Sequence, residues 1–277
     1  MKEFVKNFSR RKIAVVAFFV VLAFILIALV GPFFCKYDPN GQDLNLVYRL
    51  PMKGHPLGTD NLGRDIATRM VYGARVSLLI SFFGVLLGEL AGIILGVCAG
   101  YFGGIVDNII TAIIDILLAF PGLLLAIVII SILGNGTTNT MLTITLYSIP
   151  KCARLVRSSV MSVKQREYVQ ACHTMGASDL SIIMQHIIPN VVSVIIVDFT
   201  LALGYAILTA SALSFLGIGV QPPNPEWGAM LNQAKDVLMK FPWASIVPGV
   251  GITLVVLGFS LFGDGIRDAL DPKLKNK

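Results

Sequence analysis

The sequence predicts an all-α protein that crosses a membrane six times. Of its 277 residues, 55% are hydrophobic and 14% are charged, which is typical of a multi-spanning membrane protein and not of an average soluble domain. The apolar residues form runs long enough to cross a bilayer core of about 30 Å at about 1.5 Å per residue. The basic residues stand next to those runs, as the positive-inside rule describes. The net charge of +6 therefore indicates membrane topology, and we expect contact with lipid and no nucleic-acid partner.

The start of the chain predicts one crossing followed by a loop. Basic residues are concentrated in residues 1–12, which places this N-terminal segment in the cytoplasm. Residues 13–34 are the first predicted transmembrane helix. Residues 35–75 are rich in Pro, Gly and Asn, and we predict an extracytoplasmic loop there.

The rest of the chain, residues 76–264, forms the predicted membrane core. Its apolar runs cover residues 76–99, 105–133, 139–156, 191–213 and 244–262. A polar segment, residues 157–190, separates the fourth span from the fifth, and its basic start predicts a cytoplasmic position. Residues 265–277 are basic again and predict a cytoplasmic tail. Both termini are therefore expected in the cytoplasm.

The second span carries a glycine at every fourth position, which predicts a packing face. These residues are Gly84, Gly88, Gly92, Gly96 and Gly100. Small residues at this spacing allow close approach of a neighbouring helix. Glu89 lies about 20° from Gly96 on a helical wheel, so we expect it to face protein and not lipid. In the third span, Phe120-Pro121-Gly122 predicts a bend or break, because proline removes a backbone donor.

The polar segment is predicted to contain two short helices joined by a turn at Gly176. Glycine readily adopts the left-handed conformation that ends a helix. Ser178 is suited to cap the second helix, and Asp179 to occupy its first turn, where the helix dipole favours negative charge. Apolar residues then recur at helical spacing, namely Leu180, Ile183, Met184 and Ile187. Pro189 is predicted to end the helix. A surface amphipathic hairpin without a partner is the alternative interpretation.

The same segment resembles the "EAA" loop of ABC importer permeases. That loop has Glu-Ala-Ala, then a Gly, and later Leu-Pro. The matching residues are Gln170, Ala171, Cys172, Gly176, Ile188 and Pro189. Here Gln170 replaces the acid and Cys172 the second Ala, and His186 stands where Ile is frequent.

Six further blocks resemble the second permease of dipeptide, oligopeptide, glutathione and nickel importers. They are HPLGTDNLGRD (residues 55–65), YGARVSL (72–78), AFPG (119–122), LSFLGIGVQPP (213–223), EWGAML (226–231) and GDGIRDALDPKL (263–274). The resemblance runs from about Ile13 to the end of the sequence.

This resemblance implies a type I ABC importer permease fold in a bacterial inner membrane. It implies a homologous second permease subunit, two cytoplasmic ABC ATPases and an extracytoplasmic solute-binding protein as partners. It also implies that the loop within residues 157–190 docks into a groove of an ATPase. The residues expected to take part in coupling are Glu167, Gln170, Ala171, Cys172, Met175, Gly176, Ala177, Ser178, Asp179 and Pro189.

The residue patterns of catalysis are absent from the sequence. There is no GxxxxGK[ST] phosphate loop, so ATP and Mg are expected to be bound by the partner ATPases. No Ser/His/Asp, HExxH or paired-His pattern is present, and the four cysteines show no metal-ligand spacing. We therefore expect no enzyme, no catalytic residue, no cofactor and no metal in this chain.

A few polar and aromatic residues within the spans are candidates for a translocation pathway. They are Asp115, Phe120, Asp198, Tyr205 and Thr209. Acids within membrane spans are costly and often functional, although Glu89, Asp115 and Asp198 are equally compatible with neutral or paired groups inside the bundle. Trp227, in the loop before the sixth span, fits an external lid, a binding-protein contact or an interfacial anchor.

The expected function is ATP-driven import of di- or oligopeptides, or of a related small solute such as glutathione. Import of nickel or a metal chelate is the alternative within the family. A secondary transporter is the alternative of another class, but it would usually carry internal repeats, and none is clear here. A membrane scaffold or receptor that transports nothing is a third alternative.

Overall fold

The computed structural model describes residues 8–9 and 11–270, and these form a bundle of long helices. Residues 1–7, 10 and 271–277, which belong to the predicted terminal segments 1–12 and 265–277, lie outside the described residues. The helices are α1 (Lys12–Val30), α2 (Ile66–Phe102), α3 (Gly104–Leu118), α4 (Gly122–Leu133), α5 (Thr137–Lys164), α6 (Glu167–Thr174), α7 (Asp179–Ile182), α8 (Ile188–Phe215), α9 (Trp227–Ala234) and α10 (Trp243–Leu270). Short 3-10 turns occur at Gly31–Phe34, Leu44–Leu46 and Lys235–Val237. The described part of the chain contains no β-strand, so the all-α prediction is confirmed.

Length and apolar composition identify four helical segments able to cross a membrane. They are Lys12–Phe34, Ile66–Phe102, Asp179–Phe215 and Trp243–Leu270. The helices α3 and α4 meet at 96° and count as a fifth crossing if the bent pair is one span. The bend falls at the predicted Phe120-Pro121-Gly122 break. The remaining predicted span, α5, is less apolar, because Lys151, Arg154 and Arg157 lie along it.

The most extensive helix contact joins α2 to α5, and the glycine face of α2 makes it possible. A Cβ atom at Gly92 would lie 2.7 Å from the Cβ of Cys152, and one at Gly96 would lie 2.6 Å from the carbonyl oxygen of Ala153. Gly84, Gly88 and Gly100 meet α5 in the same way. The predicted packing face is therefore confirmed, and its partner is α5.

The second long helix begins earlier than predicted. The sequence assigned residues 35–75 to a loop, whereas α2 starts at Ile66. Asp65 caps it by accepting a hydrogen bond from the N–H of Thr68 at 2.7 Å. The carboxylate of Asp65 also lies within hydrogen-bonding distance of His55, with 3.0 Å between Oδ1 and Nδ1. Of the two charged residues that made positions 66–75 resemble a loop, Arg69 is buried and Arg75 is exposed on the helix surface.

The predicted stop at Pro189 is wrong, because the helix continues through it into α8. Residues Ile183–Ile187 form a π-helical turn, in which the N–H of Ile188 donates to the carbonyl oxygen of Ile183. The missing N–H of Pro189 falls just after this turn. The side chain of Asn190 donates to the carbonyl oxygen of His186 at 2.7 Å. A wider turn and a side-chain donor thus replace the bonds that proline cannot make.

The side chains that face the bundle along this stretch also differ from the prediction. The predicted apolar face included Leu180 and Met184, which are 70% and 56% exposed. The buried residues on this stretch are Ile182, Ile183 and Ile187. The helical spacing drawn from the sequence was therefore wrong for half of this face.

Trp227 is fully buried, which rules out its predicted roles as lid, binding-protein contact or interfacial anchor. Its Nε1 donates to the carbonyl oxygen of Met70 at 3.1 Å. The indole fits against two glycines, since a Cβ at Gly73 would lie 2.8 Å from its Cδ1 atom and one at Gly251 would lie 3.6 Å from its Cε2 atom. Trp227 therefore joins α9 to α2 and α10 as a core residue.

Candidate functional site

The loop from Glu167 to Pro189 forms an exposed protrusion at one end of the bundle. At its tip, Gly176 has a φ of +82°, and an added Cβ there would meet no atom within 4 Å. Met175 and Leu180 flank this tip and are 78% and 70% exposed. We call residues 175–180 the Gly176 turn. It presents two large apolar side chains on a backbone conformation suited to glycine.

The protrusion rests on a well-packed base. Val169, Ile182 and Ile187 are buried against a cluster that includes Val156 of α5 and Tyr101 of α2. The hydroxyl of Tyr101 donates to the carboxylate of Asp179 at 2.7 Å, and Lys164 Nζ donates to the carbonyl oxygen of Tyr101 at 2.5 Å. Any force on the turn is therefore applied to α2 and α5 as well.

The structure brings the predicted coupling residues together on this protrusion. Nine are exposed, namely Glu167, Gln170, Ala171, Met175, Gly176, Ala177, Ser178, Asp179 and Pro189. Cys172 is half-buried, with its Sγ 3.6 Å from His186 Nε2. Ser178 caps α7 by accepting from the N–H of Ser181 at 3.4 Å.

A second candidate site is a cavity of about 340 Å³ between helices of the bundle, open on one side, where Phe120 and Tyr205 are 50% and 57% exposed. Three of the predicted pathway residues line it, namely Phe120, Asp198 and Tyr205. Asp115 does not, because its exposed carboxylate pairs with Arg154. Thr209 is half-buried and also lies outside the lining. The predicted pathway set is thus only partly brought together.

The lining residues that were not predicted as pathway candidates include Glu89, Tyr147 and Lys151. Lys151 was interpreted as a marker of the cytoplasmic side, yet its Nζ lies 3.9 Å from Asp198 Oδ1. Glu89 was correctly expected to face protein and is 3% exposed. Lys151 could have been recognised as a pathway candidate, because it directly follows Pro150 within an apolar run.

Glu226, between α8 and α9, is a fully buried acid that begins the EWGAML block but was not predicted as a site residue. It caps α9 by accepting from the N–H of Ala229 at 2.8 Å. The hydroxyls of Ser77 and Ser211 lie 3.2 and 3.4 Å from its other oxygen. Burial raises the pKa of this carboxyl above its ordinary value, and the hydrogen bonds from backbone N–H groups oppose part of that rise.

The helices, the exposed turn and the cavity are those of a membrane permease, and sequence comparison gives its family. Residues 92–276 match the family described as "Binding-protein-dependent transport system inner membrane component". Residues 1–51 match "N-terminal TM domain of oligopeptide transport permease C". The chain belongs to this family of ABC importer permeases, multi-pass proteins of the inner membrane, and the resemblance stated from the motifs is confirmed.

The chain is similar to several proteins named "Glutathione transport system permease protein GsiD". It is 46% identical to the Pectobacterium atrosepticum protein over 276 residues, covering 99% of this chain and 92% of that protein. The Salmonella typhimurium protein is 46% identical over 275 residues, with 99% and 91% covered. The protein of Escherichia coli O6:H1 is 43% identical over 274 residues, with 99% and 90% covered.

Solved structures support the fold. Two chains of the MetNI methionine ABC transporter, in inward-facing conformations, match with TM-scores of 0.60 and 0.61. The identities are 18% and 17%, and the matches cover 73% and 74% of this chain and 97% and 98% of those chains. The likeness shows a shared permease fold.

Proposed function

We propose that this chain is the permease subunit through which an ABC importer moves di- or oligopeptides, or glutathione, across the inner membrane. The names of the relatives at 43–46% identity support a peptide-like cargo. The proposed assembly contains a homologous second permease, two ATPases that bind ATP and Mg, and an extracytoplasmic solute-binding protein. This chain itself needs no cofactor for that task.

We also propose six crossings with both termini in the cytoplasm. The helix α5 is the crossing that composition does not identify, and its charges lie next to acids of other helices. Arg157 pairs with Asp107, Arg154 with Asp115, and Lys151 faces Asp198. A helix whose charged side chains are paired within protein can cross a bilayer despite a low mean hydropathy.

The observation that carries the coupling proposal is the exposed Gly176 turn on its packed base. Two large apolar side chains project from a protrusion whose base joins three long helices. Burying one such side chain in a partner contributes about 1.5–3 kcal/mol. In the proposed mechanism, closure of the ATPases moves this turn, and the motion passes into α5 and α8 to change access to the pathway.

Glutamate at Met175 or Leu180 tests this proposal. Met175→Glu and Leu180→Glu should reduce uptake of glutathione or trialanine by about tenfold or more, because a charge replaces an apolar docking contact. They should also reduce the amount of ATPase that co-purifies with the tagged chain.

The matched control is Met239→Glu, which changes a methionine that is 95% exposed and far along the chain, outside the protrusion. It should leave uptake and co-purification unchanged. Full uptake in both turn variants would refute the coupling role, and recovery of this chain without any ATPase would favour a secondary transporter.

A further inference from the structure

The cavity described above has an unusual lining for the interior of a membrane bundle. Two acids and one lysine face it, namely Glu89 from α2, Asp198 from α8 and Lys151 from α5. Aromatic rings from Phe120, Tyr147 and Tyr205 form much of the remaining wall. The cavity therefore combines acidic groups with aromatic faces, which is the chemistry that proteins use to hold organic cations.

Both acids are buried, and one of their oxygens has no partner. Glu89 is 3% exposed and Asp198 is 7% exposed. Within the described residues, Oε2 of Glu89 makes no hydrogen bond. A buried polar atom without a partner costs free energy, so its retention at a cavity wall indicates that a ligand supplies the missing donor.

The third group close to these acids does not belong to the cavity. An oxygen of Glu89, an oxygen of Asp198 and Sγ of Cys152 lie within 4.8 Å of one another. However, Cys152 is 1% exposed and packs against Gly92, and its thiol points to the carbonyl oxygen of Glu89 at 3.6 Å. Two carboxyl groups remain, and the ammonium of Lys151 lies 3.9 Å from one of them. Its positive charge disfavours a metal ion at the same place.

The side chain of Lys151 shows what kind of cation the site accepts. Its ammonium lies 3.9 Å from Asp198 Oδ1 and 4.8 Å from the centre of the Tyr205 ring. A primary ammonium is thus already held between a carboxyl group and an aromatic face. The lysine side chain is 54% exposed, and its flexible stem allows the ammonium to leave without movement of the backbone.

Lys151 and Asp198 also separate two spaces in the bundle. Both residues line a second cavity of about 530 Å³ that extends to Arg267 and Leu270 at the end of α10. The pair therefore lies on the wall that the two cavities share.

We propose that the carboxyl groups of Glu89 and Asp198, with the ring of Tyr205, bind the primary ammonium group of the transported molecule, and that Lys151 occupies this position until the cargo displaces it. This rests on the proposed peptide-like cargo, because peptides and glutathione share a free α-ammonium group. The cargo amine replaces the lysine amine by like-for-like exchange, and no bond is made or broken. Glu89 then gains a donor for its free oxygen.

A small amine tests the site without reference to cargo. The assembled transporter carrying Lys151→Ala is purified, and aggregation of this chain on heating is followed by size-exclusion chromatography. Ethylammonium chloride should raise its melting temperature by about 2 °C or more above the value in sodium chloride at equal ionic strength. The shift should be smaller in tetramethylammonium chloride, which can contact the aromatic faces but has no N–H to donate to the carboxyl groups.

The matched controls for this experiment are the wild type and Lys151→Ala with Glu89→Gln. The wild type should show a smaller ethylammonium shift, because its own lysine competes. The double variant should show little or none. Equal melting temperatures of Lys151→Ala in ethylammonium and sodium would overturn the proposal.

Uptake by the complete transporter provides the second test. Asp198→Asn should lower uptake of glutathione or trialanine about tenfold or more, whereas Asp198→Glu should retain most of it. Asp236→Asn is the matched control, because it removes an exposed carboxylate in the loop before α10 that does not line the cavity. Unchanged uptake in Asp198→Asn, with all subunits still co-purifying, would overturn the proposal. If the wild type imports neither compound, the cargo proposal is wrong, and the ethylammonium experiment alone decides the site.

Discussion

The φ angle of +82° at Gly176 makes this residue the most restrictive position of the exposed turn. Only glycine adopts such an angle without strain, and its N–H also donates to the carbonyl oxygen of His173 at 3.1 Å. The shape of the turn therefore depends on the backbone conformation and the N–H of Gly176. Its apolar surface depends on the side chains of Met175 and Leu180. Exchanging the glycine and exchanging the two side chains are distinct experiments.

Gly176→Pro should lower uptake on the order of tenfold or more, because proline requires a φ near −65° and has no N–H. The measurement is uptake by membranes in which the amount of this chain is quantified by immunoblot. The matched control is Gly136→Pro, since Gly136 also has a positive φ of +129°, open space around it and one backbone donor bond. Equal losses in both variants would indicate general destabilisation and no special role of the turn.

The buried carboxyl of Glu226 predicts a pH dependence of stability. Its folded-state pKa is raised above the ordinary value of 4.5, so the folded protein holds this proton more tightly than the unfolded chain does. The contribution to stability is then fully present below the unfolded-state pKa and is lost as pH rises through the folded-state pKa.

Glu226→Gln should remove that dependence while keeping a group able to accept the N–H of Ala229. The melting temperatures of the variant and the wild type are measured on the purified transporter from pH 4 to pH 9. As pH rises, the melting temperature of the variant should increase relative to that of the wild type. A difference that stays constant over this range would show that ionisation of Glu226 does not affect folding.

At the scale of elements, the contact between α2 and α5 is the most predictable part of the fold. The glycine spacing is a local pattern, so the sequence was sufficient to infer a packing face. The identity of the facing helix was not predictable, because the residues that meet Gly92 and Gly96, such as Cys152 and Val156, lie 60 positions further along the chain. The capping role of Asp65 was not predictable either, because it lies in a polar stretch that was interpreted as an exposed loop, whereas Asp65 is buried.

Gly92→Leu should strongly destabilise this contact, because a Cβ there would lie 2.7 Å from Cys152 Cβ and 3.0 Å from the carbonyl oxygen of Ile149. Overpacking of this kind costs about 1–3 kcal/mol or more, which predicts a melting temperature several degrees lower for the purified transporter. Gly249→Leu in α10 is the control, because a Cβ there meets nothing within 4 Å. If both variants melted at the same temperature as the wild type, the glycine face would not be a packing face.

The candidate site was predictable in part, since Phe120, Asp198 and Tyr205 line the cavity but Thr209, on the same helix as Asp198, does not. Asp198 and Tyr205 lie on α8 at helical spacing, and both line the cavity as expected. Lys151 lies on α5, and its positive charge was interpreted only as a sign of the cytoplasmic side of the membrane. The structure places it beside Asp198. Burial of Trp227 was equally hidden, because the space for its ring is made by Gly73 and Gly251 from two other helices.

For the whole molecule, six crossings remain a prediction that depends on α5. Its charged residues make this helix too polar to be recognised as a membrane span by composition. Lys151, Arg154 and Arg157 each lie next to an acid. The proposal requires opposite ends of α5 to lie on opposite sides of the membrane.

Cysteine labelling measures this directly. In a chain whose four native cysteines are replaced, Asn135→Cys should react with a membrane-impermeant maleimide added to intact spheroplasts, and Gln165→Cys should react only after lysis. Lys53→Cys, in the loop before α2, is the control and should label with Asn135→Cys. Labelling of both ends of α5 from the same side would contradict six crossings.

The π turn at Ile183–Ile187 sets the angular phase between the two candidate sites. Asp179 and Asp198 belong to one helical segment, Asp179–Phe215, and lie about 28 Å apart along its axis at about 1.5 Å per residue. One residue of an α-helix corresponds to about 100° of rotation. Removing the extra residue of the turn would therefore rotate Asp198 by about that angle relative to the Gly176 turn, away from Glu89 and Lys151. The π turn therefore fixes the direction in which Asp198 points relative to the protrusion.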